Sequence, residues 1–301
     1  MGTAICQATS SMDMAADVTL VEEVKQFLGS LLDERSLPQN LVDAIRYSLL
    51  GAGKCLRPIL VIRSCEAVGG KSQRAMPAAA AIEMIHCFSL VHDDLPAMDD
   101  DDLRRGRPTL HRHATEGMAI LAGDAMTALA FEVAATRITP PSVAVEVARE
   151  LAVATGDMIG GQVYDTLGGF EPSMEDLDRL RMIHRYKTGA LIRAACRIGG
   201  MCGHADNEQL DALTRFSLSL GLMFQVVDDL LDVTQTTKHL GKRTQKDADQ
   251  GKLTYPAVLG FEASRTEIQR LCVQANEALE SLGNTAQPLR ELCEYMAVRT
   301  R

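Results

Sequence analysis

Tryptophan is absent from this 301-residue chain, and aromatic residues of any kind make up only 4% of it. A core without large rings must be filled by Ala, Leu, Met and Val, a set that favours helix over strand. Long Lys/Arg-rich runs are also missing, and the net charge is −9. The basic face of a nucleic-acid binder is thereby excluded, and nothing draws the chain to an anionic membrane. No CxxC pair occurs among the eight cysteines, which are Cys6, Cys55, Cys65, Cys87, Cys196, Cys202, Cys272 and Cys293. A chain this long needs no disulfide staples, and Cys196 and Cys202 lack the His partners of a zinc site. Reduced, mostly buried thiols in a cytoplasmic setting are therefore expected. The opening MGTAICQATSSMDMAAD has neither the basic region nor the apolar run of a secretory signal. Cys6 stands where the N-myristoylation pattern requires Ser or Thr. The most apolar stretch, AMPAAAAIEMIHCFSLV, is interrupted by Glu83 and His86. It reads as a buried helix, and no stable membrane insertion is expected.

What is present is a helical period almost throughout. Hydrophobic residues reach 46% against 24% charged, enough for a sizeable core. Val21, Val24, Phe27, Leu28 and Leu31 recur at three and four. Further helices are expected over 40–50, from Pro58 to a stop at Gly69-Gly70, and from Pro77 to Asp93-Asp94, with Pro96 as the breaker. Others should cover 114–135 and 142–158. Ser173 to Asp176 resembles a capping box for a helix running to a second double-glycine stop, and Asp206 can cap the next. Two shorter helices should follow Ser264 and Gln287. No run alternates like a strand. The expectation is one all-α domain over 1–301, a bundle of about ten or more helices around a central cavity, with residues 1–13 outside its ordered part.

Six aspartates crowd positions 93–102 in HDDLPAMDDDDLRRGR, and arginines follow at 104, 105 and 107. A weaker echo, QVVDDLLDVT, carries Asp228, Asp229 and Asp232 in an otherwise apolar helix. Asp228 and Asp232 share a helix face, where like charges repel unless something neutralises them. A solvated acidic surface is the plain alternative, and for Asp100 and Asp101 it is the favoured one. An EF-hand fails, because Leu103 and Arg104 stand where an oxygen ligand and glycine are needed. Carboxylates without a nearby His/Cys set suit Mg²⁺, which keeps waters and shares carboxylates with substrate phosphates. Lys54, Arg57, Arg104, Arg105, Lys187, Lys242 and Lys252 could then hold phosphate oxygens.

At this point the chain resembles the trans-isoprenyl diphosphate synthases. The matching pieces are GAGKCLRP, EMIHCFSLVHDDLPAMDDDDLRRGRPTLH, LAGDA, GGQVYD, KTGALI, FQVVDDLLDVT and GKRTQKDADQGKLTYP, in the family's order. The resemblance implies an all-α homodimer that condenses isopentenyl diphosphate head to tail with an allylic diphosphate. Three Mg²⁺, or Mn²⁺ in their place, would assist ionisation of the allylic substrate. It implies Asp93 and Asp99 as metal ligands with Asp94 close by, and Asp228 as a ligand with Asp232 supporting. Lys54, Arg57, His86 and Arg105 would hold isopentenyl diphosphate. Arg104, Lys187, Thr188, Gln225, Lys242 and Lys252 would face the allylic diphosphate. Asp93, Asp99, Asp228, Lys187 and Arg104 form the expected catalytic set. Two departures stand out. Cys55 occupies a position that is commonly basic, and Arg243 is added in GKRTQKD.

Product length should depend on Phe88, five residues before Asp93 and about 7.5 Å along a helix. An aromatic ring there can block a growing chain, and the resemblance implies that such a residue beside a four-residue gap in the first motif marks a bacterial-type farnesyl (C15) synthase, with geranylgeranyl (C20) as the alternative. A terpene cyclase would not need Lys54, Arg57 and His86. A non-catalytic partner subunit usually loses one aspartate motif, and both are present.

Overall fold

The computed structural model describes residues 6–51, 53–238 and 253–299, with side chains described at 17–51, 53–234 and 253–299. Lys242 and Lys252, with Arg243, lie outside the described residues. The chain divides into two compact units. One contains the chain up to Val153 together with Ala194–Ala205, and the other contains Ala154–Arg193 and the chain from Asp206 onward.

In the first unit, α1 (Cys6–Asp33), α2 (Gln39–Leu49), α3 (Leu56–Ala67), α4 (Ser72–Asp93), the short α5 (Leu110–His113) and α6 (Glu116–Arg137) follow in order. The start of α1 at Cys6 falls inside the stretch 1–13 that the sequence left without structure. At the centre lies α4, whose alanines 78–81 let α3 and α6 approach it closely. Both α4 and α6 are long and apolar enough, by length and composition, to cross a membrane. Burial of Ile82, Met84 and Ile85 shows α4 acting instead as a core helix.

Pro58 is not the first residue of α3, which begins at Leu56; the end at Ala67 agrees with the expected stop. Gly69 there adopts φ 87°, its N–H donates to the Glu66 carbonyl, and the Gly70 N–H donates to that of Cys65. Helix α4 begins five residues before Pro77, whose missing N–H falls early enough to be tolerated. One small β-structure was not foreseen. Leu103–Arg104 (β1) pairs antiparallel with Arg107–Pro108 (β2). Arg105 and Gly106 both have positive φ, as a tight two-residue hairpin demands. Strands of two residues leave no alternation to read.

Helix α7 (Pro141–Leu167) runs well past the expected Met158. Beyond it, α8 (Asp176–Ile183), a π-helical turn (His184–Gly189) and α9 (Ala190–Cys202) replace the single expected helix. The capping box at Ser173 does not form, since Glu175 is the N-cap residue and no side chain bonds there. Nor does Gly199-Gly200 stop α9. A Cβ on Gly199 would collide with the Val61 carbonyl, so this glycine is there for close packing on α3.

The second unit is organised around α10 (Asn207–Lys238), which packs on α12 (Phe261–Ala278), α13 (Gln287–Val298) and the π turn. Asp206 caps α10 as expected. Its carboxylate accepts the Gln209 N–H at 2.8 Å, while the Gln209 amide oxygen accepts the Asp206 N–H at 3.1 Å. A short helix, α11 (Tyr255–Leu259), precedes α12.

Candidate active site

In the first unit the basic residues named from sequence converge. Burial drives the His86 pKa well below its usual value, and the charges of Arg57, Arg105 and Arg104 push it further. Three arginines therefore lie close enough to be felt by one neutral imidazole. The Arg105 guanidinium also covers Gly53, where an added Cβ would sit 2.6 Å from it. Exposed Lys54 lies next in the loop before α3.

Glu83 was not assigned a role from sequence. It is buried, and desolvation raises its pKa against the pull of Arg57 and Arg105. Among the described residues, no partner reaches its Oε2 or the Nε of Arg57. Cys55 takes the αL conformation at the N-cap of α3. Its thiol is pushed up to about 12 by burial, then by the neighbouring charge of Glu83. Interruption of an apolar run was the available signal for Glu83.

The first aspartate cluster splits into different environments. Asp94 is almost fully buried, and the Nε of Arg104 donates to both its oxygens at 2.7 and 2.9 Å. Burial raises the Asp94 pKa, Arg104 opposes that rise, and Asp101 and Asp99 add to it. Burial works to lower the Arg104 pKa, but the bond to Asp94 and its charge carry it above normal. Asp93 is half-buried at the end of α4, and Asp99 is exposed. The two are tied by backbone, since the Asp99 N–H donates to the Asp93 carbonyl at 2.9 Å. Asp102 pairs with Arg112 at 2.6 Å on the surface, and the Thr109 hydroxyl donates to the Asp101 carbonyl at 2.8 Å. The hairpin is thereby held against α5. Arg107 stacks on Tyr47 at 4.1 Å, and Tyr47 stacks in turn on His113.

In the second unit, Asp228 and Asp229 occupy unlike surroundings on α10. Asp229 accepts the Tyr255 N–H at 2.8 Å and meets the His184 Nε2 at 3.3 Å. Asp228 is paired with Arg299, whose guanidinium lies 4.2 Å over the Phe224 ring. Burial pushes the Asp228 carboxyl up to about 6; Arg299 restrains that rise, and Asp232 and Asp229 add repulsion. Half-buried Gln225 stands one turn before them and exposed Asp232 one turn after.

Lys187 and Thr188 sit on the π turn, the kind of irregularity that concentrates at functional sites. Lys187 pairs with Asp165 of GGQVYD. Gly161 of the same motif lets the turn approach, because a Cβ there would strike the Lys187 backbone. The amide of Gln162 has no partner at either end among the described residues. Asp165, His184 and Arg299 were missed from sequence, since only folding reveals what they touch.

The carboxylates fit hard divalent cations. No cluster of three or more His, Cys, Asp or Glu side chains is assembled among the described residues. Mg²⁺ does not require one when waters and phosphates complete its shell. Asp228, desolvated and repelled by two neighbours, is a group that a cation would relieve.

The polyprenyl synthetase family model matches residues 38–292. The chain belongs to the polyprenyl synthetase family. A chloroplastic geranylgeranyl pyrophosphate synthase of Arabidopsis thaliana, number 11, is 46% identical over 269 residues, covering 87% of this chain and 75% of the relative. A chloroplastic heterodimeric geranylgeranyl pyrophosphate synthase large subunit of the same plant is 43% identical over 299 residues, covering 96% and 80%. The crystal structure of an FPP/GFPP synthase from Zymomonas mobilis superposes with a TM-score of 0.81 at 35% identity, covering 94% of this chain and 99% of that one. Like other members of the polyprenyl synthetase family, this chain is an all-α trans-prenyltransferase.

Proposed function

We propose that the protein is a geranylgeranyl diphosphate (C20) synthase that extends allylic diphosphates with isopentenyl diphosphate. The 46% identity to a geranylgeranyl pyrophosphate synthase along most of the chain carries this reading. It revises the farnesyl expectation, which rested on Phe88 and the four-residue gap in the first aspartate motif. Phe88 is buried on α4 and meets His92 edge to face at 5.7 Å. One turn further, Met84 lines a cavity of about 270 Å³ with Leu31, Leu32, Leu129 and Val133. Glu34, Arg35, Glu132, Thr136 and Arg137 line the same cavity, so its wall is apolar only in part. The farnesyl reading keeps some support from the FPP/GFPP synthase likeness.

Asp93, Asp99 and Asp228 would hold Mg²⁺, or Mn²⁺ in its place, with Asp94 and Asp232 beside them. Bound cations supply the charge that lets the allylic diphosphate depart. Arg57, His86, Arg105 and Lys54 orient isopentenyl diphosphate. Arg104, Lys187, Thr188 and Gln225 face the allylic diphosphate, joined by Lys242 and Lys252. To reach substrate, Arg104 and Lys187 must loosen their present carboxylate partners. The apolar flanks of α4 keep water from the reacting carbon. Neither a terpene cyclase nor a non-catalytic subunit accounts for this set, because both aspartate motifs and the second anion cluster are retained.

We further read the chain as a single functional domain acting as a homodimer. Ile120, Leu121 and Val145 are exposed apolar side chains of the first unit that self-association would cover. Seven described cysteines are free thiols, which suits a reducing compartment such as the cytoplasm; the plant relatives carry their fold in chloroplasts.

Purified protein with Mg²⁺, isopentenyl diphosphate and dimethylallyl, geranyl or farnesyl diphosphate should yield a C20 product by mass spectrometry. A product ending at C15 would overturn the C20 reading, and no consumption of isopentenyl diphosphate would overturn the synthase reading. Phe88→Ala should shift the product to greater length.

A further inference from the structure

Five of the described cysteines are closed off by burial. Cys55, Cys196 and Cys202 are pushed up to about 12 and Cys65 to about 11, while Cys87 is driven well above its usual value. Thiols held protonated in this way neither attack nor oxidise readily. The remaining two differ. Cys272 on α12 is half-buried, and Cys293 on α13 is fully buried behind it. Their sulfurs lie 3.9 Å apart, with the Cys293 thiol directed at Cys272. The Asn276 side-chain amide also donates to the Cys272 sulfur at 3.8 Å. Two donors therefore converge on one partly accessible sulfur. The hydrogen bond from Cys293 lowers the Cys272 pKa, against burial, so this thiol ionises more readily than the buried five. Cys293 is raised in turn, by the same bond and by burial.

We infer that Cys272 and Cys293 form a reversible redox pair that closes to a disulfide and fastens the C-terminal helix α13 to α12. Closing to the S–S distance requires an approach of about 1.9 Å, within reach of small side-chain rotations. Cys272 is the attacking sulfur and Cys293 the resolving one. With the disulfide of a small thiol as oxidant, the Cys272 thiolate attacks one oxidant sulfur and expels the other half as a thiolate. Cys293 then attacks the Cys272 sulfur and expels the second half. The protein loses two electrons and two protons, and two small-molecule thiols are formed. The new bond would span residues 272 to 293, enclosing the 3₁₀ turn Glu280–Ala286 that joins the two helices. Loop closure of this kind raises stability by restricting the unfolded chain. Substrates take no part, so this inference stands or falls apart from the prenyl-transfer reading.

The full-length protein should be incubated with glutathione disulfide, blocked with iodoacetamide, and digested without reduction. Mass spectrometry is expected to find the Cys272 and Cys293 peptides joined and lighter by two hydrogens. Dithiothreitol should separate them, and the oxidised protein should melt several degrees higher. Cys293→Ser should trap a mixed disulfide on Cys272, whereas Cys272→Ser should leave Cys293 unmodified. Alkylation of both cysteines in the oxidised wild type, or a cross-link mapped to another pair, would overturn the inference.

Discussion

The two aspartate motifs begin alike, with Asp-Asp-Leu after apolar residues, yet the molecule treats them differently. After Asp94 the first leaves its helix through Pro96 and turns into a hairpin. The second stays helical past Asp232. In each, one aspartate of the pair is committed to structure. Asp94 is buried in the grip of Arg104, and Asp229 holds the Tyr255 N–H and the His184 ring. Their neighbours Asp93 and Asp228, the latter paired with Arg299, are the ones proposed as metal ligands. Adjacent carboxylates on a helix point about 100° apart, so one faces the packed interior while the other faces away. On the proposed reading, a doubled aspartate is a ligand with its own anchor beside it.

That division is easiest to break by mutation. Asp93→Asn and Asp228→Asn should each lower kcat by about a hundredfold or more in a steady-state assay, because charge stabilisation in the transition state is lost. Melting temperatures should separate the anchors from the ligands. Asp94→Ala and Asp229→Ala should each cost about 1–3 kcal/mol, since they leave Arg104 or the Tyr255 N–H without its acceptor. Asp228→Asn should cause no such loss. A marked drop in melting temperature for Asp228→Asn, or none for Asp229→Ala, would collapse the distinction.

A pH profile sharpens it further. The Asp228 pKa is raised from its ordinary value to about 6. A raised carboxyl pKa favours the protonated fold. Its stabilising contribution is complete below the unfolded value of 3.8 and is lost as pH rises through about 6. Cation binding needs the opposite state, so kcat/KM should decline by about tenfold per pH unit as pH falls below 6. Asp228→Asn should erase the part of the stability change that falls in this window. The smallest effect concerns Arg299, which holds Asp228 through a partly exposed pair. Arg299→Ala should lower the Mg²⁺ concentration for half-maximal rate at pH 8 by about two- to fivefold, as expected for an ion pair of modest strength.

Much of this was legible before the fold. The helices announced themselves by period, and Asp206 and the Gly69 stop ended or began them where expected. Misreadings cluster where a residue serves tertiary packing. Gly199 looked like a helix stop but lets α3 approach α9. Pro77 looked like a helix start but sits inside one. The π turn under Lys187 breaks one expected helix into two, and no local signal marks it. Within the site, residues that carry charge in a motif were readable. Glu83, Asp165, His184 and Arg299 were not, because what distinguishes them is a neighbour distant in the chain.

Composition and helical period were sufficient to determine the all-α class, and the resemblance of the motifs named the family, because those features are local and survive without any knowledge of contacts. Only the tertiary structure decided which aspartate of each pair is an anchor, that the charges of three arginines and burial together lower the His86 pKa, and that Cys272 alone among the described cysteines has a lowered pKa. Burial and charge proximity set those properties, and both depend on which distant segments meet.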